Sequence, residues 1–163
     1  MKTSLTAALL LGTALCAGAR EKPLETREKW SFGDKSAWEW SGEGDDTVLS
    51  LKKQSDFKPK VRSPFNLAWF EGEEWGSFEL TAEVRLDLFN GGNNDVCIAF
   101  GKQDETKFYY AHLGENADHV HLQLHIVNDA DRKKITKVGV KTLPWKEENW
   151  HKVKLVRDVE AGT

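Results

Sequence analysis

Hydrophobic and polar residues alternate along most of this chain with a period of two, the pattern of strands that bury one face. The longest run is residues 77–89, where Phe78, Leu80, Ala82, Val84, Leu86 and Leu88 share one face and Glu79, Thr81, Glu83, Arg85 and Asp87 share the other. Asn90, Gly91, Gly92, Asn93 and Asn94 predict a tight reversal after it. Three further strands are predicted in residues 95–128. Val96, Ile98 and Phe100 alternate with Cys97 and Ala99, and residues 101–106 read as a turn. Phe108, Tyr110 and His112 alternate with Tyr109, Ala111 and Leu113, and a second turn runs through Gly114, Glu115, Asn116 and Asp118. The third strand alternates most cleanly, with His119, His121, Gln123 and His125 on one face and Val120, Leu122, Leu124 and Ile126 on the other. It reads as a half-buried antiparallel strand whose polar face is a row of imidazoles and an amide.

Shorter strands are predicted around Trp30 and Phe32, around Trp38 and Trp40, and over residues 47–51, 65–70, 135–140 and 150–159, with residues 160–163 as a closing hairpin turn. Pro59, Pro64 and Pro144 punctuate the intervening segments. No helical period extends over ten residues after Ala19. Roughly ten short strands at close spacing predict an all-β fold, an antiparallel sandwich or barrel. The last strand has no hairpin partner within the chain, so the expectation is a sandwich that continues beyond Thr163.

The N-terminus breaks this rhythm. Lys2, the apolar run from Leu5 and the small residues Ala17, Gly18 and Ala19 predict a secretory signal peptide over residues 1–19, too short and too soon followed by charge for a membrane span. Residues 20–29 read as a charged lead-in, and the sandwich is expected over residues 30–163. Cys16 suggests a lipid anchor as an alternative, although Leu15 stands where such a site wants a small residue. The expected location is secreted or periplasmic. Cleavage after Ala19 leaves Cys97 as the sole cysteine, so the mature chain has no internal disulfide. The whole chain carries a net charge of −3 with no basic block, which argues against nucleic acid as a partner.

Residues 78–86 (FELTAEVRL), the Asn/Gly-rich turn, DVCIAFG, FYYAHLG and NWHKVKLVRD followed by AGT resemble secreted concanavalin A-like, laminin-G-like jelly-roll domains. Similar domains occur in exported bacterial proteins called 3-keto-disaccharide hydrolases. The resemblance covers about residues 30–163 and implies a β-sandwich with a ligand site on a concave sheet. It lies in strand rhythm and short phrases, so it speaks to fold more than to activity.

Candidate chemistry centres on the histidine row. His119 and His121, two apart on one strand face, have a spacing that can place two nitrogens on one metal, but zinc needs a third ligand, which His112 of the adjacent strand would have to supply. Calcium would need oxygen ligands from Asn90–Asp95 or from Asp129 and Asp131, which match no defined loop. The expectation is therefore no bound metal or cofactor. Glu83 and Asp87 share a face with Arg85 between them. In the laminarinase-type branch the corresponding pattern is Glu-x-Asp-x-Glu; arginine at its centre lowers carboxylate pKa values and opposes a general acid. Tyr110 and His112 share a face that could serve acid–base β-elimination of an acidic polysaccharide, with Arg132 or Lys133 neutralising a uronate. Seven tryptophans supply flat surfaces for sugar rings, with Trp38, Trp40, Trp69 and Trp75 a candidate platform.

These features predict an exported carbohydrate-binding domain whose ligand meets Tyr110, His112, His119, His121, Gln123 and His125. A glycoside hydrolase or polysaccharide lyase is the first alternative, and an adhesive module without a sugar site the second.

Overall fold

The computed structural model describes residues 7–11, 14–16, 19–72, 74–86, 95–114, 117–137 and 149–163. Within them the fold is all-β, every strand pairing is antiparallel, and helix is confined to single 3-10 turns. No helix among the described residues is long and apolar enough to cross a membrane. The chain forms two compact units, one of residues Met1–Ser55, Asn66–Asp87 and Asn149–Thr163, the other of Asp56–Phe65 and Leu88–Glu148.

The first unit holds a seven-stranded sheet of β1 (Ala7–Leu11), β2 (Ala14–Cys16), β3 (Ala19–Glu21), β5 (Trp38–Ser41), β6 (Val48–Leu51), β8 (Phe78–Leu86) and β13 (His151–Arg157), and a two-stranded ribbon of β4 (Trp30–Phe32) and β7 (Ala68–Phe70). The Ala7–Leu11 run, inside the stretch read as a leader, pairs with both β6 and β8 in this structure. The alternation of β8 is realised where the sheet is deepest: Ala82, Val84 and Leu86 are buried and Thr81, Glu83 and Arg85 are half-buried. Leu49 and Leu51 of β6 join them in the core. Along β13, Val153 and Leu155 sit between exposed Lys152, Lys154 and Val156, and the strand pairs along its length with β8, from His151 opposite Val84 to Arg157 opposite Phe78. The turn predicted after it closes through reciprocal backbone hydrogen bonds of 2.6 and 2.9 Å between Asp158 and Thr163.

The tryptophans pack against neighbouring rings in this unit. Trp30 meets Trp40 edge to face at 5.9 Å, Phe32 lies 6.1 Å from Trp38, and Phe70 stacks with Trp75 at 6.2 Å. Trp30 also donates its indole N–H to the Pro23 carbonyl. This aromatic packing holds the β4–β7 ribbon and β5.

The second unit is a four-stranded sheet in the order β12 (Lys133–Lys134), β11 (Gln123–Asn128), β10 (Lys107–Leu113), β9 (Val96–Asp104). The turn expected over residues 101–106 is shorter than its composition suggests, because β9 continues to Asp104. Gly101 makes that continuation through a bulge: its φ is +61°, and the β9–β10 register shifts between Lys107 and Tyr109. Asp104 then fixes the two-residue turn by accepting from the Thr106 N–H at 2.7 Å and pairing with Lys107 at 2.9 Å. These contacts, the lysine foremost, lower its pKa to about 2.

On β10, Phe108, Tyr110 and His112 form the buried face. β11 begins only at Gln123. Residues 119–122 form a turn instead of the predicted strand, and Leu122 leaves it in the left-handed region with φ +54°. The buried face of β11 is the polar one: Gln123, His125 and Val127 are enclosed, while Leu124 is 38 % exposed. Lys133–Lys134, within the segment read as a turn, forms β12, and Ile135 and Thr136, at the start of the strand predicted over residues 135–140, are held by hydrogen bonds to Leu124. Residues 138–148, including the loop read around Pro144, lie outside the described residues, as does the reversal at residues 90–94.

Candidate functional site

Antiparallel pairing places Tyr110 opposite His125 and His112 opposite Gln123. Side chains opposite one another share a face and touch. The Tyr110 and His125 rings stack at 4.8 Å with 9° between their planes, and the His112 ring stands 5.8 Å from Tyr110 and 6.0 Å from His125. The register expected between Tyr110 and the imidazoles of the next strand is therefore present. On the other side of β10, His112 lies opposite Cys97 of β9. Burial pushes the Cys97 thiol well above its ordinary range, which disfavours the thiolate.

Two carboxylates complete the centre, and both stand in turns. Asp95, just before β9, approaches His112 with its Oδ2 2.6 Å from Nε2, and the same oxygen lies 3.4 Å from Nε2 of His121. His121 is held from its other side by Asp118, whose Oδ2 accepts from Nδ1 at 2.9 Å. Asp118 in turn is fixed by the backbone: its Oδ1 accepts from the N–H groups of Val120 and His121, each at 2.6 Å, and its carbonyl accepts from the Gln123 amide at 2.7 Å. Those donors, the His121 N–H foremost, hold the Asp118 carboxyl far below the usual carboxylate range. The rings of His112 and His121 meet edge to face at 4.9 Å.

His119, expected beside His121, is exposed and belongs elsewhere. The turn over residues 119–122 removes the alternation that would have set the two rings side by side. With His125, Arg62, Asp131, Arg132 and Lys134, His119 lines a pocket of about 300 Å³. The segment Asp56–Phe65 reaches this pocket because the Arg132 N–H donates to the Arg62 carbonyl and the Arg62 N–H donates to Asp131, both at 2.9 Å. The lining is strongly cationic. Asp131 is its sole carboxylate among the described residues, and one of its oxygens already accepts the Arg62 N–H.

The predicted residues thus divide three ways. His119 and His125 line the pocket, Tyr110 packs behind His125, and His112 and His121 meet at Asp95. Gln123 is committed to the Asp118 carbonyl. The row reads on sequence as one polar face, and the fold turns it into a pocket wall and a separate histidine–carboxylate cluster. Asp95 and Asp118 escape a period-two reading because neither lies in a strand. The available signal for Asp118 is local: an aspartate immediately before a short polar turn caps that turn's N–H groups.

Burial sets the protonation of the pocket wall. His125, only 2 % exposed, is pushed down to about 4 by burial first and then by the neighbouring His112 and Arg132 charges, so it is neutral at pH 7. Burial likewise pushes the Tyr110 hydroxyl up to about 12, although Arg132 partly opposes this. A phenol so raised stays protonated at neutral pH. Among the described residues, His112 Nδ1 is buried without a hydrogen-bond partner.

Glu83 lies opposite Lys152 with 3.9 Å between charges, Arg85 covers the Trp150 ring at 4.9 Å, and Asp87 is outside the described residues. Asp129 holds Thr106 and Lys107 at the open end of the β10–β11 pair.

Comparison with models of protein families, with curated proteins and with solved structures finds no match.

Proposed function

We propose that this chain is an exported carbohydrate-binding domain of concanavalin A-like, jelly-roll type, and that its ligand is an acidic glycan. The observation that carries this reading is the pocket where His119, His125, Arg62, Arg132 and Lys134 converge. Its volume of about 300 Å³ falls at the small end of ligand sites, a size suited to a sugar unit and not to a long groove. Two guanidiniums and an ammonium facing one carboxylate favour an anionic group, and arginine binds carboxylate or sulfate in a bidentate manner. A neutral imidazole at His125 adds a surface for hydroxyls at pH 7.

Recognition is favoured over hydrolysis. A glycosidase needs two carboxyl groups flanking the scissile bond, and the pocket offers Asp131 alone among the described residues. The test is a glycan array carrying uronate-bearing, sulfated and neutral oligosaccharides. Binding concentrated on the acidic classes supports the reading, and the split between uronate and sulfate names the anion. Equal binding of neutral sugars, or none at all, contradicts it.

A further inference from the structure

We propose that Asp95, His112 and His121 form a binding site for one divalent transition-metal ion of the zinc class, separate in function from the sugar pocket. Three segments deliver the ligands: the residue before β9, the end of β10, and the turn before β11. One ring nitrogen each of His112 and His121 and a carboxylate oxygen of Asp95 lie within 4.8 Å of one another. Ligand atoms on a tetrahedral zinc with bonds of about 2.0–2.1 Å are separated by about 3.3–3.4 Å. The His121–Asp95 distance of 3.4 Å already meets that spacing, while the His112–Asp95 contact of 2.6 Å must open by less than an ångström.

The ring geometry suits a shared ion. Asp118 accepts from His121 Nδ1 at 2.9 Å, which turns the opposite nitrogen, Nε2, toward the Asp95 oxygen. His112, only 4 % exposed, has no partner at Nδ1 among the described residues, and its Nε2 is aimed at the same oxygen.

Asp118 has the standing of an outer-sphere carboxylate. It sets the tautomer of His121 and is itself fixed by two backbone N–H groups. Two imidazoles and one carboxylate suit zinc and its neighbours, whereas calcium and magnesium prefer all-oxygen sets. The side chains of Asp95 and His121 are 33 % and 19 % exposed, which leaves a solvent side for water or a sugar hydroxyl.

The full chain, stripped with a chelator, is titrated with Co²⁺ and then Zn²⁺. The expected result is saturation at one equivalent, visible ligand-field bands of four- or five-coordinate cobalt, and their loss on adding zinc but not calcium. Asp95→Asn and His121→Gln should lose the bands, Asp118→Asn should weaken affinity by about 10–100-fold, and the remote His151→Gln should match the native chain. Circular dichroism checks the β content of each variant; if Asp95→Asn unfolds, the Asp118→Asn result carries the test. Cobalt that stays octahedral, displacement by calcium, or zinc binding unchanged in Asp118→Asn and His121→Gln overturns the proposal.

Discussion

The Asp118 carboxylate accepts three hydrogen bonds within three residues of itself, two from backbone and one from an imidazole. This explains how a short turn with Leu122 at φ +54° holds one orientation of His121. His125 makes the opposite kind of contribution. In the unfolded chain it takes up a proton near its ordinary value of 6.5, while in the folded chain it resists until about 4. Between those values the unfolded state binds more protons, so stability rises with pH across that window and levels off above it. The melting temperature should therefore drop between pH 6.5 and pH 4.5, with a shallower slope for His125→Gln. The groups facing this ring are Tyr110, His112, Arg132 and Lys134, and the depressed carboxylates Asp104 and Asp118 lose their contribution only at lower pH. A melting temperature that is flat from pH 6.5 to 4.5 would show that His125 is not held neutral by burial.

At the scale of elements, alternation identifies strands well and their ends poorly. The β10–β11 hairpin, the buried face of β8 and the β13 strand are all legible in the chain, because each needs only a period of two and a polar turn. Two features override that period. Gly101 lets β9 bulge and run on to Asp104, and Asp118 stabilises a turn where His119 and His121 would otherwise alternate. Both depend on specific backbone contacts that composition does not display. The polarity of β11 also inverts: His125 is enclosed because Tyr110 stacks on it, whereas the apolar Leu124 is left partly exposed. For the bulge, Gly101→Ala should destabilise the fold by about 1–2 kcal/mol, since a left-handed φ penalises any Cβ. The added methyl would also meet Tyr109 at 3.2 Å. Denaturant melts of the two proteins measure this, and equal midpoints would mean that the bulge relaxes at no cost.

For the molecule as a whole, tryptophan count and histidine row each suggest sugar chemistry on sequence, and the two fall in different units. The aromatic rings instead pack Trp30, Trp38, Trp40 and Trp75 into the first unit, while the cationic pocket belongs to the second. Cation count, not tryptophan, is therefore the feature on which ligand choice should turn. Isothermal titration of an acidic oligouronate into the native chain and into Arg132→Ala, at low and at physiological salt, examines this most directly. The account predicts saturable binding by the native chain, weakened by salt and reduced at least about tenfold, or ~1.4 kcal/mol, by the substitution. Binding that is unchanged in Arg132→Ala, or matched by a neutral oligosaccharide of the same length, would contradict it.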